Sequence, residues 1–378
     1  MPERRPGDRS IWGLFLVFGM AEAAIVPFLP LLLQDHGYSG SQIGLALAAM
    51  ALAALLATPA WGHLGDVHLS LSRAFACAAT ATALCSLLLG VARGPAFVAA
   101  LVALAACRLA LTPLSDALAL AQLASRRTRY GTVRMWLSAG FAAAAIGWGL
   151  VLAGAGIGAV PVVYAAALLA TTSIALVLRS PPAARERGRS LRDALAGLAG
   201  TPGLLPFLLA VVLVNASFLA TSSFFSLRVT GLGGGLALVG LAAGLQAAIE
   251  VPVMRATASA HHGHLFLAGC LTYAVAFALF ALTTDPLVLS LLRLLSGVGF
   301  AFLVVGTVVA ADHIVEPQLR ASCQAVTRAA TYGLSPIVGG IGGGLIWQWA
   351  GAPALFAATS AAALLGAILY RATRPVSA

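Results

Sequence analysis

The chain has 378 residues, of which 60% are apolar and only 9% charged, and its mean hydropathy is +0.97. Folded in water it would expose far too much apolar surface, which excludes a soluble enzyme or binding module. The net charge is +10 and every one of the 22 basic residues is arginine; the loop arginines fall on one side of a series of apolar runs, as membrane orientation requires, and do not form a nucleic-acid face.

Residues 1–10 carry Arg4, Arg5 and Arg9 ahead of the first apolar run. That run covers residues 11–33, too long for a signal-peptide core, and contains Glu22, so it reads as a retained first helix. Eleven further runs follow, at 41–62, 73–92, 96–123, 131–153, 160–179, 203–227, 235–256, 264–283, 286–311, 322–348 and 353–371. The expectation is an all-α membrane protein with twelve transmembrane helices, at about 20 residues per crossing.

Loop charge sets the orientation. Arg4, Arg5, Arg9, Arg73, Arg126, Arg127, Arg129, Arg185, Arg187, Arg189, Arg192, Arg320, Arg371 and Arg374 fall on one side, against Arg93 and Arg228 on the other. By the positive-inside rule both termini are cytoplasmic. A multi-pass protein of the cytoplasmic (inner) membrane is expected.

Residues 180–202 form the one long polar connection. They divide the chain into an N-terminal six-helix bundle, 1–179, a cytoplasmic linker, 180–202, and a C-terminal six-helix bundle, 203–378. Leu191 to Leu198 has the pattern of a short surface helix. The halves resemble each other. Phe28, Leu31, Ile43, Gly44, Leu45 and Ala46 recur at constant offset as Phe224, Leu227, Val239, Gly240, Leu241 and Ala242. Parallel repeats about an axis normal to the membrane suit a two-bundle transporter.

Several strings carry a family resemblance. Gly62-His63-Leu64-Gly65-Asp66 resembles the G-x-L-A-D-R-x-G-R-R signature of the major facilitator superfamily, with Val67 in place of its arginine. The strings at residues 113–120, 130–141 and 249–254 resemble P-L-x-D-A-L-A-L, Y-G-R-I-R-L-W-G-S-x-G-F and E-I-P-V-M. Those strings belong to the branch holding phenylpropionate permease-like and lactose- or nucleoside-symporter-like proteins. Thr132 and Leu137 depart from the second of them. A G-P-x-x-G-G-like string stands at residues 333–340 in the eleventh run, whereas drug antiporters carry it in the fifth helix. The resemblance implies solute transport by alternating access, often proton-coupled, with helices 1, 4, 7 and 10 lining the cavity.

The charges inside the runs are the candidate chemistry. A carboxylate in mid-bilayer costs about 2.5–3.5 kcal/mol on insertion scales, so it needs a partner or a water-filled cavity. Glu22 and Arg108 are the central pair, read either as a proton-loading site or as a fixed packing ion pair. Glu22 is the proton-coupling candidate. Glu22, Arg108, Asn215, Arg293 and Tyr332 are the substrate-binding candidates. Asp116, Arg134, Glu250, Asp66 and Arg328 are the gate or ion-pair candidates. Glu250 bridges to Arg134 in one reading; in the other, Arg134 pairs permanently with Asp116. Gln324, Arg328 and Tyr332 share one helical face. The glycines at 339, 340, 342, 343 and 344 permit close contact and a bend.

Cys77, Cys85, Cys107, Cys270 and Cys323 lack CxxC spacing and read as small buried hydrophobes. His261, His262 and His264 read as a solvated loop. No nucleophile elbow, phosphate loop or HExxH is present, so no enzyme, metal or cofactor is expected. The leading expectation is a monomeric, proton-coupled symporter of a small organic solute. The alternatives are an exporter of sugars, drugs or hydrophobic metabolites by proton antiport, and a transport-dead sensor or scaffold.

Overall fold

A computed structural model describes residues 6–123, 130–178, 198, 200–257 and 264–373. Among the described residues there is no strand, and every long element is a helix. Among the described residues, eleven helical stretches are long and apolar enough to cross a bilayer. The last of them, Ser322–Arg371, has 50 residues. At 1.5 Å per residue that is about 75 Å, more than twice the hydrocarbon thickness. It holds two crossings, because Gly351 sits inside it at φ +78 and ψ −179 and Pro353 follows. A side chain there would clash with its own backbone, so glycine marks the turn. Twelve crossings are thus present among the described residues, as expected.

Three spans that read as continuous are interrupted. The first is α1 (Pro6–Ile25) and α2 (Leu29–Asp35). Pro27 and Pro30 withhold the N–H groups that Ala23 and Val26 would need four residues back, so the ladder stops between them. The fourth is α5 (Pro95–Arg108) and α6 (Leu111–Gln122), parted at Leu109–Ala110. Pro113 explains the position, since its ring crowds the carbonyl of Leu109. The eleventh starts as α13 (Arg320–Ala329), passes through a π-turn at Ala330–Leu334 and continues as α14 (Ser335–Arg371). Pro336 removes the donor for Tyr332, and just before it the Ser335 backbone N–H donates five residues back to Ala330 O, which also accepts from Ser335 Oγ at 2.8 Å. The bend expected at glycines 339–344 is therefore displaced: φ and ψ stay helical there, and the irregularities lie on either side.

The remaining helices are α3 (Gly40–His63), α4 (Leu71–Val91), α7 (Tyr130–Ala155), α8 (Val160–Val177), α9 (Leu204–Gly231), α10 (Leu236–Thr257), α11 (Leu265–Leu282) and α12 (Pro286–Ile314). Asp285 caps α12, its Oδ1 accepting from Leu287 N at 2.8 Å and Val288 N at 2.9 Å.

The chain forms two compact units. One holds Met1–Gly37, Ala49–Arg185 and Gly235–Ala248; the other holds Tyr38–Ala48, Glu186–Gly234 and Ile249–Ala378. In the first, α1 packs on α7 and α8, and α4 on α5 and α8. A Cβ on Gly19 would strike the backbone of Leu137, and one on Gly140 that of Leu16, so α1 and α7 touch backbone to backbone. The 235–248 segment joins this unit the same way, with Gly240 against Ala145 and Gly149. In the second unit α9 packs on α14, and α11 on α12 and α14. The 38–48 segment joins it through Gly44 against Gly340 and Gly344, and Gly40 N donates to Gln348 Oε1 at 2.9 Å.

Leu56, Val177, Leu282 and Trp349 are largely exposed, Trp349 to 84%. Such an outer surface fits lipid and not water, and the protein is a multi-pass membrane protein. Of the cysteines, Cys270 and Cys323 are buried, Cys85 and Cys107 are half-buried and Cys77 is exposed, so the uniform burial expected for them is corrected. An apolar thiol has no reason to hide from lipid. Most of the 180–202 linker, including most of the Leu191–Leu198 stretch, and His261 and His262 lie outside the described residues.

Candidate functional site

In the first unit the interruptions of α1 and of the fourth span place Glu22 and Arg108 beside helix ends. Glu22 lies in the last turn of α1, its carbonyl accepting from Val26 N at 3.0 Å just before the chain turns. Arg108 is the last residue of α5, where the carbonyl end of a helix favours a cation. The guanidinium meets the carboxylate with both prongs: Nη2 donates to Oε2 at 2.5 Å, and Nε to Oε1 at 3.3 Å. The side chains are only 12% and 15% exposed. A two-pronged contact of this kind is the strongest ion pair the side chains offer.

Tyr164 of α8 completes the site. Its hydroxyl donates to Glu22 Oε1 at 3.2 Å, and the ring is fully buried. The carboxylate thus accepts three hydrogen bonds, two charged and one neutral. Tyr164 was not singled out from the sequence. A tyrosine in an apolar run costs lipid little, so nothing local marks it. The backbone around Glu22 is also held, since Trp148 Nε1 of α7 donates to Met20 O at 2.9 Å. Removing either charge would leave the other largely buried and uncompensated, at a cost of about 3–5 kcal/mol.

In the second unit the buried charge is Arg293 of α12, 8% exposed. Nη2 donates to Ser222 Oγ of α9 at 3.0 Å, and the guanidinium carbon lies 4.5 Å above the Phe225 ring. Nη1 is buried with no hydrogen-bond partner. Among the described residues the ion pairs within 4 Å are Arg108–Glu22 and Arg134–Asp116, neither of which involves Arg293. Glu250 of α10, an acidic residue, acts on Arg293 electrostatically.

The other candidates are placed as follows. Arg134 Nε stands 3.9 Å from Asp116 Oδ1, a loose contact between half-exposed side chains. Glu250 is buried in the second unit. Asn215 turns back on its own helix, Nδ2 donating to Val211 O at 2.8 Å, and Ser217 Oγ does likewise to Leu213 O at 2.7 Å. Thr221 reaches α14 through Thr359 at 2.9 Å. Gln324 Nε2 donates to Asp312 Oδ1 and Val308 O, both at 2.9 Å. Arg328 and Tyr332 are exposed, Tyr332 to 74%. Tyr332 lies within the π-turn Ala330–Leu334, so the regular helical spacing of the stripe ends after Arg328. The Asp66 side chain lies outside the described residues. Among the described residues no three His, Cys, Asp or Glu side chains gather to hold a metal.

An ion pair set between interrupted helices in a twelve-span chain points to a carrier fold, and comparison with known sequences decides the family. The pattern that defines the MFS_1 like family matches residues 11–358. The chain belongs to that family. As a member of the major facilitator superfamily it has sequence relatives with carrier names. It is 33% identical over 248 residues to the maltose permease of Geobacillus stearothermophilus, a match covering 64% of this chain and 61% of that protein. It is 25% identical over 248 residues to the uncharacterized transporter YwbF of Bacillus subtilis (strain 168), covering 65% of this chain and 62% of that one. The chain thus matches about three fifths of the length of each relative. These names are of carriers and not enzymes, in line with the missing catalytic motifs. Among solved structures the fold resembles the nucleoside transporter NupG, with TM-score 0.82 at 18% identity over 97% of this chain and 99% of that one. It also resembles an inward-facing, unoccupied bacterial homolog of the human lysosomal transporter Spinster, with TM-score 0.70 at 13% identity over 99% of this chain and 100% of that one.

Proposed function

We propose that this chain is a secondary active transporter that moves a small organic solute across the cytoplasmic membrane by alternating access, coupled to protons at Glu22. The observation that carries this is the Glu22–Arg108–Tyr164 constellation inside the membrane-spanning part of the first unit. Intramembrane ionisable residues are functional by default, because lipid penalises them otherwise.

The geometry gives the coupling a physical basis. While Glu22 is ionised it satisfies Arg108. A proton on Glu22 removes that compensation and leaves a buried guanidinium without its carboxylate. A solute acceptor group arriving at Arg108 restores the balance. Proton and solute therefore favour each other's binding, which is what symport requires. Loss of the proton on the inner side re-forms the Arg108–Glu22 pair and displaces the solute. For a neutral solute, one proton's charge moved across 100 mV carries about 2.3 kcal/mol, enough for about fifty-fold accumulation; a monoanion taken with one proton crosses without net charge and is driven by the pH gradient alone.

The same reading sets both termini in the cytoplasm and joins six-helix bundles 1–179 and 203–378 through the cytoplasmic linker 180–202, with the carrier working as a monomer. Arg loops support the orientation. Asn215, Arg293 and Tyr332 remain proposed solute contacts, and Asp116, Arg134, Glu250, Asp66 and Arg328 proposed gate residues. Glu250→Gln favours inward-open states if Glu250 bridges to Arg134. Unchanged label distances between the cytoplasmic ends of the bundles assign Arg134 to Asp116 instead.

Proteoliposomes with an imposed pH gradient test the coupling. Glu22→Gln should keep solute exchange and lose uphill accumulation. Arg108→Ala should lose both. Accumulation by Glu22→Gln against a gradient makes Glu22 a packing residue, accumulation driven outward makes the chain an exporter, and no flux of any solute makes it a sensor or scaffold.

A further inference from the structure

Three polar atoms of the second unit are buried, lack a hydrogen-bond partner and stand on neighbouring helices: Arg293 Nη1 and Ser296 Oγ of α12, and Tyr273 Oη of α11. Their residues are 8%, 0% and 1% exposed. Ser296 follows Arg293 by one helical turn. The Tyr273 ring lies against the same helix at Gly299, where a Cβ would come within 2.5 Å of it.

Hydroxyls in helices normally escape this situation by donating four residues back. On these same two helices Ser290 Oγ does so to Pro286 O at 2.7 Å, and Thr272 Oγ1 to Ala268 O at 2.8 Å. Ser296 does not. Arg293 uses one prong on Ser222 and rests its plane on Phe225, leaving the other prong open. A native protein seldom buries a guanidinium edge, a phenol and a serine hydroxyl together with nothing to bind.

We propose that Arg293, Tyr273 and Ser296 form a binding site for the carboxylate of a small monoanionic organic acid. A carboxylate offers two oxygens and about four acceptor positions, which match two hydroxyls and one open guanidinium edge. A neutral hydroxylated solute would meet the hydroxyls but leave the arginine charge unanswered. A dianion is disfavoured, because Glu250 already acts on Arg293 and Tyr273 electrostatically and the site supplies one arginine. The apolar part of the acid has aromatic neighbours: Phe218 stacks on Tyr273 at 5.3 Å between centroids, and Phe300 stands 5.2 Å from Phe218. This rests on and deepens the carrier reading above, in that the acid is the class of solute it moves, its carboxylate being also the acceptor group proposed to reach Arg108 once Glu22 is protonated.

Thermal unfolding of the purified full chain, with butyrate and benzoate as probes, tests the site. Butyramide and benzamide are the neutral controls, and chloride holds the ionic strength. Each carboxylate should raise the midpoint where its amide does not, by mass action. Arg293→Gln should abolish the shift, and Arg293→Lys should require at least ten-fold more carboxylate. Tyr273→Phe and Ser296→Ala separate binding from packing. Without ligand each should melt no lower than the parent, since it removes an unpaired buried hydroxyl. With carboxylate each should lose most of the shift. No carboxylate-specific shift in the parent at concentrations on the order of 50 mM, beyond the millimolar range of a single ion pair, overturns the site. An equal shift with chloride reduces it to an inorganic-anion site and overturns it as well. Exchange of a neutral sugar or nucleoside by proteoliposomes, with no carboxylate effect, keeps the carrier and discards this site. An Arg293-dependent carboxylate shift without exchange of any solute keeps the site and discards the carrier.

Discussion

Arg108 and Arg293 are both buried arginines in membrane-spanning helices, yet their surroundings solve the same problem in different ways. Arg108 ends a helix, at the break that Pro113 causes, and a carboxylate takes it with two prongs while Tyr164 takes a third position on that carboxylate. Arg293 sits within the unbroken α12 and is met by one serine and one phenyl face. The repeat sharpens the contrast. At the offset that relates Phe28 to Phe224, Glu22 falls on Phe218, which stacks on Tyr273. Counted from the prolines that open the two spans, Arg108 falls on Gly299, whose missing Cβ makes room for that same tyrosine. The first unit therefore holds a closed ion pair where the second holds an aromatic stack, and the second keeps its charge elsewhere with an edge left open. A closed pair can respond to a proton, and an open one can respond to an anion.

The largest effect should come from splitting the closed pair. Arg108→Met alone should cost about 3–5 kcal/mol in unfolding free energy, since Glu22 is then buried without its cation. Adding Glu22→Met should restore most of that loss, because an apolar pair of similar volume is nearly neutral. Denaturation of both variants in the same detergent measures the coupling, and a double variant no better than the single one would show that the pair does not act as a unit.

Arg293→Met should cost less, about 1–3 kcal/mol. It removes one charged hydrogen bond and a cation–π contact but also relieves an open buried guanidinium edge. Equal losses for Arg108→Met and Arg293→Met would erase the distinction between closed and open.

The smallest effects come from the two tyrosines and should have different signs. Tyr164→Phe removes a hydrogen bond to a carboxylate and should lower stability by about 1–2 kcal/mol. Tyr273→Phe removes an unpaired hydroxyl and should leave stability unchanged or raise it slightly. Parallel melting curves of the two variants give the answer, and a loss at Tyr273 as large as that at Tyr164 would mean that its hydroxyl is satisfied.

The twelve spans were legible because the solvent is lipid. Every run must be apolar for about 20 residues, so length and composition suffice to mark it. Glu22, Arg108 and Arg293 were legible for the same reason, since each breaks an otherwise apolar run. Tyr164 and Tyr273 break nothing, and their roles depend wholly on which helix packs against which. The interruptions were half-legible: Pro27, Pro30, Pro113 and Pro336 each mark the lost hydrogen bond, but a proline in a membrane helix produces a kink, a break or a π-turn according to its neighbours. Residues 38–48 and 235–248 carry no sign of the unit they join, because the glycines that admit them say only that two backbones come close.

By itself the sequence determined the class, the spans, the uneven spread of its loop charges and the existence of intramembrane charges. Each of these follows from one-body transfer energies that a residue carries wherever it sits. Tertiary structure alone decided that Glu22 meets Arg108 with both prongs, that Tyr164 joins them, and that Arg293 keeps one edge unanswered. Those are pairwise outcomes, fixed by distances of a few ångströms between helices far apart in the chain, and no single residue's preference for water or lipid encodes them.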